Sequence, residues 1–306
     1  QHADYFMAGV ISAFDIAMWD ICAKALDVPV CDLLGGRFRD RIRSYTYLYD
    51  PSGKDLASAA ADWSGAPKRM GELAVRMVDE GFTGVKLDPI RYTPPGLGAA
   101  QPFELSVAEY DLAERTIEAI RTAIGNRADI MIGTHGQITP SVSRRLARRL
   151  EKYDPLWLEE PCPPENVEEL ARVAASTSIP IATGERLAHV HDFHRLFAAR
   201  TCAYAQPDLG SCGGFTAAKA IASMAEANYV LMAPHVWGGP VITAAAMQLD
   251  AAIPNFLIQE SIFKSGAFFD QIVKEPIRWQ GGDLLLEERP GIGVELDEAK
   301  LEAHAA

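Results

Sequence analysis

The sequence lacks three features that would place it in a specialised class of protein. Its five cysteines are odd in number, scattered and without a CxxC pair, which argues against a disulfide framework and favours a reducing compartment. The formal net charge of −12 has the opposite sign to a nucleic-acid-binding surface. No apolar run reaches the roughly 18 residues of a membrane span, and no charged leader precedes an apolar stretch. We therefore expect a cytoplasmic protein that binds neither nucleic acid nor membrane.

The composition itself is that of an ordinary globular protein, with 48% apolar and 23% charged residues among 306. A first amphipathic helix is predicted over 8–26, where Val10, Phe14, Met18 and Ile21 recur at spacings of three to four. Short strands and amphipathic helices then alternate. The predicted strands cover 43–48, 83–87, 129–132, 156–158, 180–182, 204–206, 230–232 and 256–258. Such alternation predicts a parallel sheet covered by helices, and eight strands favour a closed α/β barrel.

Three segments carry further local signals. Ser106 and Glu109 form a capping-box pair that predicts the start of a helix over 106–125. Residues 91–103, rich in proline, glycine and alanine, are predicted to form a long loop at the mouth of the barrel. Residues 279–294 are turn-rich with a few strand-like positions, and their role cannot be deduced from the pattern.

One position follows almost every later strand at an interval of 23 to 27 residues, which is one strand–helix unit. These positions are Gly133, Glu159, Glu185, Asp208, His235 and Glu260. Barrel enzymes hold their chemistry at the carboxyl ends of the strands, so we expect these residues at one rim. Four carboxylates and a histidine at one rim would repel one another unless a cation compensates them, which predicts a metal site.

At these positions the chain resembles the mandelate racemase-like branch of the enolase superfamily, which includes acid-sugar dehydratases. Seven segments in the family's order carry the resemblance: AFDIAMWDICAKALDVPVCDLLGG, GVKLDP, LWLEEP, IATGERL, QPDLGSCGG, APHVWGGP and PNFLIQE. The resemblance implies a modified (β/α)7β barrel with Mg²⁺ held by acids after the third, fourth and fifth strands. Two departures stand out. Glycine occupies position 133, where the family has its first metal acid, and the chain lacks the family's N-terminal capping domain and begins at the helix that follows it.

The resemblance also implies a division of the chain. Residues 1–42 would form a lead-in helix and its connection, and residues 43–278 the catalytic barrel. Residues 279–306 would form a C-terminal tail that packs against the missing capping domain. The family assembles into dimers or octamers, so we expect a homo-oligomer.

The metal ligands and the proton-transfer dyad are the next implications of the resemblance. Glu159 and Glu185 correspond to the second and third metal acids, and two carboxylates with waters suffice for Mg²⁺, or for Mn²⁺ in its place. A salt bridge at the rim is the alternative for Glu159. Asp208 and His235 correspond to the dyad in which the histidine removes the proton beside the substrate carboxylate and the aspartate orients it. A structural hydrogen bond is the alternative for this pair.

The remaining candidates would contact substrate. Lys86 would neutralise the substrate carboxylate as the enolate forms, and Asp88 takes the place of a second lysine base found in isomerases; an ion pair between the two is the alternative. His135 would be the acid that protonates the leaving hydroxyl, with a replacement metal ligand or a structural histidine as alternatives. Glu260 would hydrogen-bond the substrate carboxylate in its protonated form. Arg186 and Trp237 would contact substrate or pack.

Together these assignments predict metal-assisted α-proton abstraction from an acid sugar with loss of water. Two other functions remain open on the sequence. A cycloisomerase or epimerase would use the same enolate without losing water. A catalytically silent homologue would have lost its metal, and glycine at position 133 is the whole argument for it.

Overall fold

The computed structural model describes residues 4–49, 66–90, 104–261 and 267–304, so the predicted loop over 91–103 lies outside the described residues. The strands are β1 (Arg41–Tyr47), β2 (Gly84–Leu87), β3 (Asp129–Gly133), β4 (Trp157–Glu159), β5 (Ile181–Thr183), β6 (Tyr204–Ala205), β7 (Leu231–Met232), β8 (Gln259–Ser261), β9 (Trp279–Gln280) and β10 (Asp283–Leu285). The helices are α1 (Tyr5–Ala25), α2 (Val30–Leu33), α3 (Ala66–Asp79), α4 (Val107–Ile124), α5 (Pro140–Leu150), α6 (Val167–Ala174), α7 (Val190–Ala198), α8 (Gly214–Ala227), α9 (Pro240–Ala251), α10 (Ala267–Gln271) and α11 (Glu298–His304). Every predicted strand up to β7 lies within two residues of its observed bounds.

The chain divides into two compact units. The first unit comprises Gln1–Ser44, Gly184–His194 and Ala205–Ala306, and the second comprises Tyr45–Thr183 and Arg195–Tyr204. These divisions differ from the boundaries 1–42, 43–278 and 279–306, which remain a prediction.

The second unit contains a parallel sheet. The end of β1 pairs with β2, β2 with β3, β3 with β4 and β4 with β5, all in parallel. Strands β2, β4 and β5 are buried at every position, as expected for a parallel sheet with both faces covered. The register places Gly133 opposite Glu159, so the carboxyl ends of β3 and β4 lie side by side.

Helix α4 begins at a capping box and buries one apolar stripe. Its N-cap is Ser106, whose side chain accepts from the backbone N–H of Glu109 while the Glu109 carboxylate accepts from the N–H of Ser106. This confirms the predicted capping box. Tyr110, Ala113 and Ile117 are buried at intervals of three to four residues, so one stripe of the helix faces the core.

Helix α1 in the first unit buries a different face from the one that its apolar spacing predicts. Its buried residues are Ala8, Ser12, Ile16 and Ala23, whereas Val10, Phe14, Met18 and Ile21 are exposed. The small side chains allow close packing against α8, where Trp19 meets Phe215 edge-on at 6.3 Å. By length and composition alone, α1 is the one helix of the described residues that could cross a membrane.

Asp15 of α1 also caps α8. Gly213, the N-cap of α8, makes no side-chain cap, and the Asp15 carboxylate accepts from the backbone N–H of Thr216 at 3.1 Å. A Cβ at Gly214 would overlap the Asp15 carboxylate, so the close approach requires glycine.

The chain near the C-terminus differs from the prediction. The expected strand over 256–258 is displaced to β8, because Phe256 makes only an isolated bridge to Met232 while the polar residues that follow are buried in the strand. Apolar patterning misses such a strand because its side chains are polar. The turn-rich segment forms the β9–β10 hairpin, and β10 pairs antiparallel with the beginning of β1.

Candidate active site

His235 is the centre of a buried charged cluster in the first unit. Its Nδ1 atom lies 2.7 Å from Oδ2 of Asp208, the geometry of the predicted dyad. Its Nε2 atom lies 3.5 Å from Oε2 of Glu260 and 3.8 Å from Oε2 of Glu185. All four side chains are at most 16% exposed, so water screens these interactions poorly.

The three carboxylates set the protonation of His235. Burial acts to lower the pKa of its imidazole, but the charges of Glu260, Glu185 and Asp208 and the hydrogen bond with Asp208 raise that pKa to about 10. In this cluster His235 is therefore an imidazolium at neutral pH, with N–H groups directed at Asp208 on one side and at the two glutamates on the other.

Short loops at the ends of strands hold this cluster. Asp208 follows β6, and its Oδ1 accepts from the backbone N–H of Gly210 at 2.6 Å. The segment from Gly210 to Gly214 is a tight turn leading into α8, with the N–H of Cys212 bonded to the carbonyl of Asp208 at 2.8 Å. This turn orients the carboxylate that faces His235.

Two backbone contacts fix the glutamates. Oε2 of Glu260 accepts from the N–H of Val236 at 3.0 Å, which ties β8 to the segment that carries His235. Tyr5 donates to the backbone carbonyl of Glu185 at 3.3 Å. Because Glu260 lies within β8, its side chain is 1% exposed and already engaged by Val236 and His235.

Arg186 and Trp237 lie at the edge of the same cluster. Nε of Arg186 is 3.8 Å from Oε1 of Glu185, and its side chain is 38% exposed. Trp237 is 54% exposed, which is unusual for so large an apolar side chain. Both positions leave them accessible to a ligand.

Lys86 and Glu159 form a buried ion pair in the second unit. The Lys86 ammonium contacts Oε1 of Glu159, both side chains are 1% exposed, and the indole N–H of Trp157 donates to Oε2 of Glu159 at 2.9 Å. The ammonium also lies 4.9 Å from the ring centre of Tyr47 and 5.6 Å from that of Tyr45. Burying a neutral polar group without a hydrogen-bond partner costs about 2–7 kcal/mol, and burying an unpaired charge costs several kcal/mol after relaxation. Glu159 and the two tyrosine rings are the partners that offset this cost for the Lys86 ammonium.

Gly133, Asp88 and His135 form the other part of the second unit's cluster. Nδ1 of His135 lies 3.5 Å from Oδ1 of Asp88. His135 does not continue the strand, because β3 ends at Gly133 and His135 lies in a turn with φ of 51°. The turn is held by the N–H of Gly136, which donates to the carbonyl of Glu160 at 2.7 Å.

The donors of the second unit suit a hard divalent cation. No group of three or more His, Cys, Asp or Glu side chains placed to bind a metal occurs among the residues that the structure describes. Glu159 accepts from the Lys86 ammonium at Oε1 and from the Trp157 indole at Oε2, and carboxylate oxygens of this kind are the hard donors that Mg²⁺ prefers. Mg²⁺ keeps several waters and commonly takes one or two protein carboxylates, so a small oxygen set fits it.

The sequence interpretation missed the side chains that surround these acids. Trp157 lies two positions before Glu159 on β4, so the two side chains share one face of the strand. Tyr45 and Tyr47 are likewise two positions apart on β1 and share one face. That period of two was the available signal. Nothing in the sequence pointed to Tyr5 as a neighbour of Glu185.

Family models match most of the chain. The model described as enolase C-terminal domain-like matches residues 69–300. The chain belongs to the mandelate racemase/muconate lactonizing enzyme branch of the enolase superfamily. The model of that branch's N-terminal domain matches residues 2–35, so α1 and α2 are part of an N-terminal domain segment, a small one in this chain.

Relatives in this enolase-superfamily branch include named dehydratases. D-xylonate dehydratase of Haloferax volcanii is 35% identical over 96% of this chain and 69% of its own length. D-galactonate dehydratase of Variovorax paradoxus is 35% identical over 98% and 74%. The solved mandelate racemase/muconate lactonizing enzyme of Jannaschia sp. CCS1 is 39% identical with a TM-score of 0.90, covering 99% of this chain and 76% of that one. This likeness confirms the predicted fold class, the modified (β/α)7β barrel.

Proposed function

We propose that this chain dehydrates a sugar acid, an aldonate or aldarate, with the help of Mg²⁺. It is a hydro-lyase of the enolase superfamily, in keeping with dehydratase relatives along nearly its whole length. The names of those relatives support the substrate class. The observation that carries the proposal is the buried contact of 2.7 Å between His235 and Asp208.

Dehydration of a sugar acid takes a proton from the carbon beside the carboxylate and hydroxide from the next carbon. The enol that remains tautomerises to a 2-keto-3-deoxy acid. We assign proton removal to Nε2 of His235, because Asp208 holds Nδ1 and so fixes the orientation of the ring. A base must be unprotonated, so part of the carboxylate charge that raises the pKa of His235 has to be offset before the ring can act.

Glu159 and Glu185 are our proposed metal ligands. When bound, Mg²⁺ would supply positive charge that polarises the substrate carboxylate and offsets the neighbouring acids. Lys86 is assigned to the negative charge that develops on the substrate carboxylate, since its ammonium is buried and held in place. His135 is assigned to protonate the leaving hydroxyl, and Glu260 to hydrogen-bond the substrate carboxylate. General acid and base each contribute about 10²–10⁴-fold.

Substrate binding by Asp88, Arg186 and Trp237, a homo-oligomeric assembly and a cytoplasmic location stay predictions. The exposed positions of Arg186 and Trp237 agree with a role in binding a polar ligand. The functional alternative is isomerisation through the same enolate, which the experiment below separates from dehydration.

The test is a screen of aldonates and aldarates with Mg²⁺, followed by a carbonyl assay for the 2-keto-3-deoxy acid and by NMR of α-proton exchange in D₂O. We expect His235→Asn to abolish both exchange and dehydration and to leave Mg²⁺ binding nearly intact. His135→Ala should cut dehydration about 10²-fold or more and spare exchange. The matched control is His191→Asn, an exposed histidine on α7 that should leave both reactions unchanged.

Several outcomes would contradict the proposal. Exchange without any loss of water across the library would assign the chain to the isomerases. Loss of Mg²⁺ binding in His235→Asn would make that histidine a ligand instead of a base. Wild-type protein that binds no Mg²⁺ even with a sugar acid present would refute a metal-assisted dehydratase.

A further inference from the structure

Gly133 leaves a space that another residue's carboxylate fills. A Cβ added to Gly133 would overlap Oδ1 of Asp88, and would lie 3.5 Å from Cγ of Asp88 and 3.5 Å from Cε of Lys86. The overlap places the Asp88 oxygen about as far from that Cβ as an aspartate's own carboxylate oxygens would lie. Asp88 therefore brings an oxygen to the place where a side chain at position 133 would start.

We propose that Asp88 supplies, from the end of β2, the metal-ligating carboxylate that the family resemblance places at Gly133, and that Asp88 and Glu159 bind the cation from the two strands that flank β3. This inference rests on the proposed function, because it concerns the same Mg²⁺. It reassigns Asp88 from substrate binding to the metal, and it explains why glycine is accommodated at position 133.

The register of the sheet brings the two acids together. Leu87 pairs with Ile132, so the next residues, Asp88 and Gly133, continue the same row across β2 and β3. Gly133 in turn pairs with Glu159 on β4. Neighbouring strands lie about 4.8 Å apart, so Asp88 and Glu159, at the ends of the two strands that flank β3, are about 10 Å apart at the backbone. The Asp88 carboxylate already reaches the space over Gly133, and Mg²⁺ binds oxygen at about 2.1 Å, so two carboxylates directed over the glycine from opposite sides can share one cation.

The charges around this row favour a cation. The Lys86 ammonium lies against Oε1 of Glu159 and offsets one of the two carboxylate charges, so one carboxylate charge remains for a cation to offset. Glu159 is 1% and Asp88 17% exposed, so two ionised acids here are poorly screened from each other. Nδ1 of His135 lies 3.5 Å from Oδ1 of Asp88 and can hold that carboxylate in orientation.

The overlap between Asp88 and a side chain at position 133 predicts how substitutions at that position change stability and metal binding. An aspartate introduced there alone would compete with Asp88 for one volume, so Gly133→Asp should destabilise the protein and should not tighten metal binding. The swap Gly133→Asp/Asp88→Gly moves the carboxylate from β2 to β3 and relieves the overlap. It should therefore restore both stability and binding.

The experiment is calorimetric titration of Mn²⁺, and in parallel Mg²⁺, into wild type and four variants, with thermal melts of each. The variants are Asp88→Asn, Gly133→Asp, the swap, and the control Asp79→Asn, an exposed aspartate that removes the same charge from the same unit. We expect Asp88→Asn to weaken Mn²⁺ binding at least tenfold, the swap to return to within about threefold of wild type, and Asp79→Asn to bind as wild type does.

The melts test the shared space without metal. Gly133→Asp should lower Tm when Asp88 is present and lower it much less in the swap. If Asp88→Asn binds Mn²⁺ as tightly as wild type does, the inference is overturned while the dehydratase proposal stands. If wild type binds neither metal, both fail. If Gly133→Asp alone tightens binding with no fall in Tm, the two side chains do not share one volume and the inference is again overturned.

Discussion

At the scale of single residues, the protonation of His235 is the property with most consequence for the chemistry. Its pKa of about 10 is the sum of opposing effects, because burial favours the neutral ring and three carboxylates favour the imidazolium. The ring therefore carries a proton between its ordinary pKa of about 6.5 and about 10, where an isolated histidine would be neutral. Each nearby carboxylate therefore raises the pKa of His235, and removing one should lower that pKa.

We predict that Asp208→Asn lowers the pKa of His235 by at least about one unit, since the carboxylate contributes both charge and a hydrogen bond. The measurement is an NMR titration of the His235 ring in metal-free protein, with exposed His191 as the internal reference. The imidazolium should lose its proton at lower pH in the variant. A ring that titrates as in wild type would show that Asp208 is not its partner, and an equal shift at His191 would indicate a global change.

At the scale of elements, α4 shows how much local sequence contributes to one helix. The reciprocal bonds between Ser106 and Glu109 satisfy the backbone N–H groups of both residues at the N-terminus of α4, and Gly125 ends the helix with a φ of 56°. Both ends follow from residues next to the helix in the chain, so the sequence predicts its bounds to within one residue.

We predict that Ser106→Ala lowers the free energy of unfolding by about 1 kcal/mol, because the first turn loses its side-chain acceptor. Urea unfolding measures the change. Ser223→Ala is the matched control: Ser223 is exposed within α8 and donates to the carbonyl of Lys219, so its substitution should shift the free energy of unfolding by less than about 0.5 kcal/mol. Equal effects of the two substitutions would contradict a specific capping role.

At the scale of the whole molecule, the cysteines differ sharply in their surroundings. All five are free. Cys22 is exposed on α1, whereas burial raises the pKa of Cys31 to about 11, that of Cys162 to about 12 and that of Cys202 to about 12. Burial also raises the pKa of Cys212. Only thiolates react rapidly with disulfide reagents, so burial suppresses the reactivity of four of the five cysteines.

We predict one fast-reacting thiol in the native protein at pH 8 and five after denaturation without reductant. Reaction with an aromatic disulfide, followed by absorbance, counts both. Cys22→Ser should remove the fast phase and leave four thiols in denaturant, while Cys212→Ser should leave the fast phase intact. A total below five in denaturant would reveal a disulfide, and a second fast thiol would mean that the native core opens readily.

The sequence by itself determined the order of strands and helices, the capping box, and the 23–27-residue spacing of the site positions from Gly133 to Glu260. These signals are local or periodic, so each is written in residues close together in the chain. It also sufficed to pair His235 with Asp208, through the resemblance. Apolar spacing does not predict the buried face of α1, because packing against α8 selects small side chains that a hydrophobicity pattern does not mark.

Only the tertiary structure decided which side chains meet across strands. Asp88 enters the space at Gly133, Lys86 pairs with Glu159, and His135 turns through a positive φ away from the strand direction. Such contacts depend on strand register and on the backbone angles of single loop residues. Both are set by the packing of distant segments, which leaves no trace in the spacing of residues along the chain.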